Sequence, residues 1–155
     1  MYPIMATTVP VPDLVGPSPR QHLAPGYAAG VTEEMIRAVV DGFYDKVRAD
    51  PVLGPIFDGH IGDQWHVHLP KMYDFWSSVL LMTGRFKGAP MRVHGAMAHE
   101  VGDSHFERWL ELFGQTVNEV CPGPPAALFR QKARMIASSL STGMAYVRGD
   151  DLTAR

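Results

Sequence analysis

Four side chains in this sequence carry ligand-binding or hydrogen-bonding chemistry at positions where spacing or context brings them inward: Tyr44, His68, His94 and Trp109. At about 100° per residue, Trp65, Leu69, Met72 and Trp76 fall in one narrow arc of a helix, and His68 lies about 70° from its middle. His66 lies about 90° away on the other side, so the two histidines cannot chelate one metal from a regular helix. His68 is the inward candidate. Tyr44 and Trp109 lie about as far from the apolar centres of their own helices, each with a donor on a ring large enough to need burial. Taken singly, each of the three is also what a packed ring at the edge of a core looks like. His94 stands in Pro90-Met91-Arg92-Val93-His94-Gly95, between the helix of His68 and the helix of Trp109. Loop histidines are as a rule exposed and inert, and His99 and His105 are alternatives nearby. Two helices with inward polar edges and one histidine on a short segment between them suit a planar, iron-bearing cofactor. The imidazole would bind iron from one side and the donors would line the other.

The elements that must position these groups are helices. Thr32 can cap a helix whose first turn holds Glu33 and Glu34, with Ile36, Val39, Val40, Phe43 and Val47 at three- and four-residue intervals up to Asp50-Pro51. A second helix is predicted over 63–82, kinked or jointed at Pro70. Between Gly84 and Gly102, five glycines and prolines leave room for one short helix at most. Ser104-His105-Phe106-Glu107 reads as a capping box opening a third long helix, which Pro122 to Pro125 stop. A fourth is predicted over about 125–147, with Leu128, Phe129, Ala133, Ile136, Leu140 and Met144 inward. No segment alternates with a period of two, so the domain is predicted to be all-α.

Composition narrows the function classes. Fourteen Lys+Arg against sixteen Asp+Glu give a net charge of −2, with no basic footprint for nucleic acid or an anionic membrane. No run reaches the roughly 18 apolar residues of a spanning helix. A single cysteine, Cys121, excludes an internal disulfide and a chelating cysteine cluster. Residues 1–30 hold six of the thirteen prolines and two charges, and read as an extended, flexible arm before a domain at 31–147 and a tail at 148–155. The first dozen residues carry no Lys or Arg and no apolar run of a secretory signal, so a cytoplasmic location is expected.

Several blocks then occur together in order: Gly42-Phe43-Tyr44-Asp45-Lys46-Val47-Arg48, Leu53-Gly54-Pro55-Ile56-Phe57, Trp65-His66-Val67-His68-Leu69-Pro70-Lys71-Met72, Phe75-Trp76, and His105-Phe106-Glu107-Arg108-Trp109-Leu110-Glu111-Leu112-Phe113. Through them residues 31 to about 147 resemble the group III truncated haemoglobins, small bacterial globins that bind haem b. The resemblance implies a truncated globin fold, two helices over two around the haem. By position it implies His94 as the proximal iron ligand, with Tyr44, His68 and Trp109 on the distal side. It implies Lys71 and Arg92 as partners of the haem propionates, and Phe57, Met72, Phe75 and Trp76 as cavity wall. The function implied is binding of dioxygen, carbon monoxide and nitric oxide at a pentacoordinate iron, with Tyr44 and Trp109 donating hydrogen bonds. Oxidation of nitric oxide or reduction of peroxide, fed by a reductase, is compatible with the same residues. A gas sensor acting through another protein is the alternative.

Overall fold

The computed structural model describes residues 21–154, apart from the side chains of Gln21, Met91, Arg92, Val93 and Ala154. Residues 1–20, most of the expected arm, lie outside the described residues. Seven α-helices are present among those described: α1 (Pro25–Ala29), α2 (Glu33–Ala49), α3 (Leu53–Ile61), α4 (Trp65–Leu81), α5 (Pro90–Gly95), α6 (Asp103–Val120) and α7 (Pro124–Arg148). None is long and apolar enough to cross a membrane.

Two pairs of long helices make the body. α2 packs on α4, α6 packs on α7, and α2 crosses α6 to join the pairs in the expected two-over-two arrangement. α2 begins as its sequence requires: the Thr32 hydroxyl accepts from the Met35 amide at 3.2 Å, and Glu33 and Glu34 sit on the positive end of the helix. Its apolar stripe, Ile36 to Val47, is buried against Phe113, Val117, Phe129 and Ala133 of the other pair. Phe113 is the centre of this core, stacked on Trp76 and Trp109 with ring centroids at 5.1 and 5.6 Å.

Asp50 joins three elements at one buried corner. Its carboxylate accepts from the Val52 and Leu53 amides at 3.1 and 2.9 Å, which ties the end of α2 to the first residue of α3, and from Arg108 Nε of α6 at 2.8 Å. The Leu53 amide leads in holding this carboxyl below its ordinary range.

Three features differ from the sequence reading. The described end of the expected arm is not extended: Gln21–Leu23 form a 3-10 turn, from Pro25 the chain is α-helical, Ala24 is buried, and α1 packs on α4 and α7. Gly26 permits this, since a Cβ there would stand 2.5 Å from the Leu80 carbonyl oxygen. α3 was not expected, because nine residues carrying Gly54, Pro55 and Gly59 give too short a period to read. The third long helix starts at Asp103 and not after Ser104. The Gly102 amide donates to Nδ1 of His105 at 3.0 Å, so the histidine ring performs the reach-back expected of Glu107.

Candidate functional site: an aromatic cavity between the helix pairs

A cavity of about 500 Å³ opens between α2, α4, the 82–89 segment, α5, the start of α6 and the middle of α7. That volume falls within the about 300–1,000 Å³ typical of small-molecule and cofactor sites. Tyr44, Phe57, His68, Lys71, Met72, Phe75, Trp76, His94 and Trp109 all line it, so the structure brings together every sequence-selected site residue whose side chain is described. The remaining one, Arg92, lies on α5 with its side chain outside the described residues.

Tyr44 faces the cavity from the inner side of α2. Its ring meets that of His68 edge-on, with centroids 5.0 Å apart and planes at 88°. Burial pushes the phenol far above its ordinary value, so it stays a protonated donor. His68, one turn into α4, is held to about 4, first by burial and then by the charges of His94 and Lys71. It is therefore a neutral imidazole near pH 7, and its Nε2 is buried without a hydrogen-bond partner. Trp109 is fixed by the Phe113 stack and by an edge contact with Phe43 at 5.4 Å. Neither the Tyr44 hydroxyl nor the Trp109 indole N–H has a partner among the described residues. Behind Tyr44 and His68 stands Trp65, at 5.5 and 5.6 Å from their rings. Its indole donates to Asp58 at 3.0 Å, and the Arg48 guanidinium covers its face at 4.6 Å.

α5 is short because Pro90 starts it and the Gly95 turn ends it, yet it places His94 at the cavity wall. His94 Nδ1 lies 2.7 Å from the Pro90 carbonyl. A carbonyl can only accept, so Nδ1 carries the proton and the Nε2 lone pair remains free for a metal. Of the two alternatives, His99 is exposed and takes no part in the cavity, whereas His105 lines it.

Most of the rest of the wall is apolar, with Phe43, Phe86, Phe106, Ile136, Leu140 and Met144 among its members, and Asp74 adds a carboxylate. Sequence reasoning read the α7 residues of this set as plain core, because helical period gives the buried face and does not tell a packed core from a cavity. Phe86 comes from irregular chain that no periodicity could place. It is pinned by its amide, which donates to Ser78 Oγ at 2.9 Å, and by an edge contact with Phe75 at 5.2 Å. Met97 and Val101, just after α5, complete the wall near His94. Lys71, Arg85 and Lys87 supply positive charge, with Arg85 paired to Glu33.

An aromatic cleft with an imidazole whose Nδ1 is held by a carbonyl so that its Nε2 carries the lone pair, and donors on two other elements unpartnered among the described residues, fits a flat apolar cofactor carrying iron and anionic substituents. Comparisons with known proteins agree. Residues 27–138 match the bacterial-like globin family. The chain is 36% identical to the group 3 truncated hemoglobin ctb of Campylobacter jejuni over 111 residues, 70% of this chain and 87% of that protein. A crystal structure of group III truncated hemoglobin from Campylobacter jejuni superposes with a TM-score of 0.66 at 33% identity, covering 74% of this chain and 91% of that one. By family, sequence and fold together, this chain belongs to the bacterial-like globins, haem-binding proteins, as a truncated haemoglobin of the group III type.

Proposed function

We propose that the chain binds haem b in this cavity through His94 Nε2 and takes dioxygen, carbon monoxide or nitric oxide as ligand beside Tyr44, His68 and Trp109. The observation that carries the reading is the hydrogen bond from His94 Nδ1 to the Pro90 carbonyl, which leaves Nε2 as a free lone pair in the same cavity as the unpartnered donors. Haem b, and not a covalently attached haem, suits a chain whose single cysteine is buried away from the cavity.

Haem iron, when bound, supplies an open coordination position and electron density to a diatomic ligand. Tyr44 and Trp109 line this largely apolar cavity with protons to donate, and there a hydrogen bond to a charged acceptor counts for more than in water. Dioxygen draws more charge than carbon monoxide, so these two donors favour dioxygen. Neutral His68 has a free Nε2 with which to meet a ligand or a water. Lys71, with Arg92, supplies the positive charge that carboxylate substituents of the cofactor call for. Oxidation of nitric oxide or reduction of peroxide would use the same donors and an outside reductase; turnover no faster than that of free haemin excludes both.

The test is the absorption spectrum of the protein with haemin, oxidised, reduced and reduced under carbon monoxide, for wild type and His94→Gly. A Soret band that shifts with carbon monoxide, is altered in the variant and is restored by added imidazole is the expected result. An unaltered band in the variant moves the ligand to His68 or His105, and failure to bind haemin overturns the reading.

A further inference from the structure

The segment that follows His94 is fastened by the far end of the chain. α5 has six residues, too few to hold itself, and packs chiefly on α7, with Gly95 facing Val147. After His94 the backbone runs on in tight turns: the Met97 amide donates to the His94 carbonyl at 2.9 Å, Ala98 to Gly95 at 3.2 Å, and Val101 to Met97 at 3.2 Å. Two carbonyls of this run, Ala98 and Val101, accept from Nη1 of Arg148 at 2.8 and 2.9 Å. Arg148 is the last residue of α7, and Asp150 sets the plane of its guanidinium by accepting from Nε at 3.0 Å and Nη2 at 2.9 Å. The segment so held is part of the site, since Met97 and Val101 line the cavity and Ala98 between them is fully buried. The family match ends at residue 138, short of Arg148 and Asp150.

We propose that Arg148 is a positioning residue for the iron ligand: by holding the Ala98 and Val101 carbonyls it fixes the chain leaving His94, so the end of α7 sets the geometry and strength of His94 ligation. This rests on His94 being the ligand. A lysine keeps the charge and three donors on one nitrogen but lacks the planar fork by which Nη1 reaches the two carbonyls while Nε and Nη2 reach Asp150, and methionine supplies no donor.

The test uses the full chain with haemin, as wild type, Arg148→Met, Arg148→Lys and His94→Gly. Three quantities are read: the iron–histidine stretching band of the ferrous protein by resonance Raman, the rate of haem loss to an excess of acceptor apoglobin, and amide hydrogen exchange over 95–101 in the haem-free protein. Arg148→Met is expected to shift the band, to speed haem loss about fivefold or more, and to speed exchange at 97–101, with Arg148→Lys recovering part of each. A lowered melting temperature with the band and the loss rate unmoved overturns the proposal, because a merely structural role gives that pattern. Where Arg148→Met does not fold, Arg148→Gln carries the same reading, and a wild-type band and loss rate there overturn it. A band that persists in His94→Gly overturns the ligand assignment itself; a band lost there but unmoved in Arg148→Met overturns only the role of Arg148.

Discussion

His94 and His105 hold opposite tautomers at one cavity: Nδ1 of His94 donates to the Pro90 carbonyl at 2.7 Å, and Nδ1 of His105 accepts from the Gly102 amide at 3.0 Å. Neutral His94 therefore keeps its lone pair on Nε2, and neutral His105 keeps its proton there. A metal bound to His105 Nε2 would require that proton to leave or to move to Nδ1 at the expense of the α6 cap.

Substitution at the two sites should separate them. His94→Gly is expected to lose the wild-type Soret and iron–histidine signals and to regain them with free imidazole. His105→Ala is expected to keep both while losing about 1 kcal/mol of stability with the cap, read by urea unfolding.

Tyr44→Phe removes one proton from the cavity with little change of shape, and Trp109→Phe removes one together with a ring of the indole that packs on Phe113. Each should speed dioxygen dissociation roughly 5- to 150-fold, as the loss of about 1–3 kcal/mol implies, and leave carbon monoxide dissociation nearly unmoved. Stopped-flow displacement measures both. Equal effects on the two ligands would show that size, and not charge, is what these rings control.

His68 gives the haem-free protein a specific acid sensitivity. Its folded value of about 4 lies below the ordinary 6.5, so between these the unfolded chain takes up a proton that the folded chain refuses. The contribution is complete above about pH 6.5 and is lost as pH falls toward 4. Asp50 also titrates below its ordinary value, but under this window. Urea midpoints at pH 7 and pH 5 should therefore draw apart less in His68→Leu than in wild type.

Gly26→Ala should undock α1. The new Cβ would press on the Leu80 carbonyl at 2.5 Å, and backbone cannot move aside as a side chain can, so a loss of about 1–3 kcal/mol is expected. Gly59→Ala, with nothing within 4 Å of the added Cβ, is the control and should be neutral or slightly stabilising.

These residues also show where sequence reading stops. Thr32, Glu33 and Glu34 announce α2, and the Trp65 to Trp76 arc announces α4, because cap chemistry and a 3.6-residue period are local properties. α1 escaped because the proline density of residues 1–30 hides the one glycine that lets Pro25–Ala29 approach Leu80. The α6 start was displaced because a histidine ring can take the place of the glutamate in a cap, which no spacing rule anticipates. In the site, the inward tilt of Tyr44, His68 and Trp109 was legible, but their convergence on His94 was carried by the family resemblance. Met97, Phe86 and Met144 became cavity wall only through tertiary contacts that sequence spacing does not encode.

The chain has three tryptophans, and all of them stand at the cavity: Trp76 and Trp109 in its wall, Trp65 against the rings of Tyr44 and His68. A pigment absorbing in the near ultraviolet and violet, seated there, would accept excitation energy from every indole at close range. The ultraviolet emission of the protein is thus a built-in gauge of occupancy, bright when the cavity is vacant and dark when it is filled, so cofactor uptake can be followed at nanomolar concentration without any label.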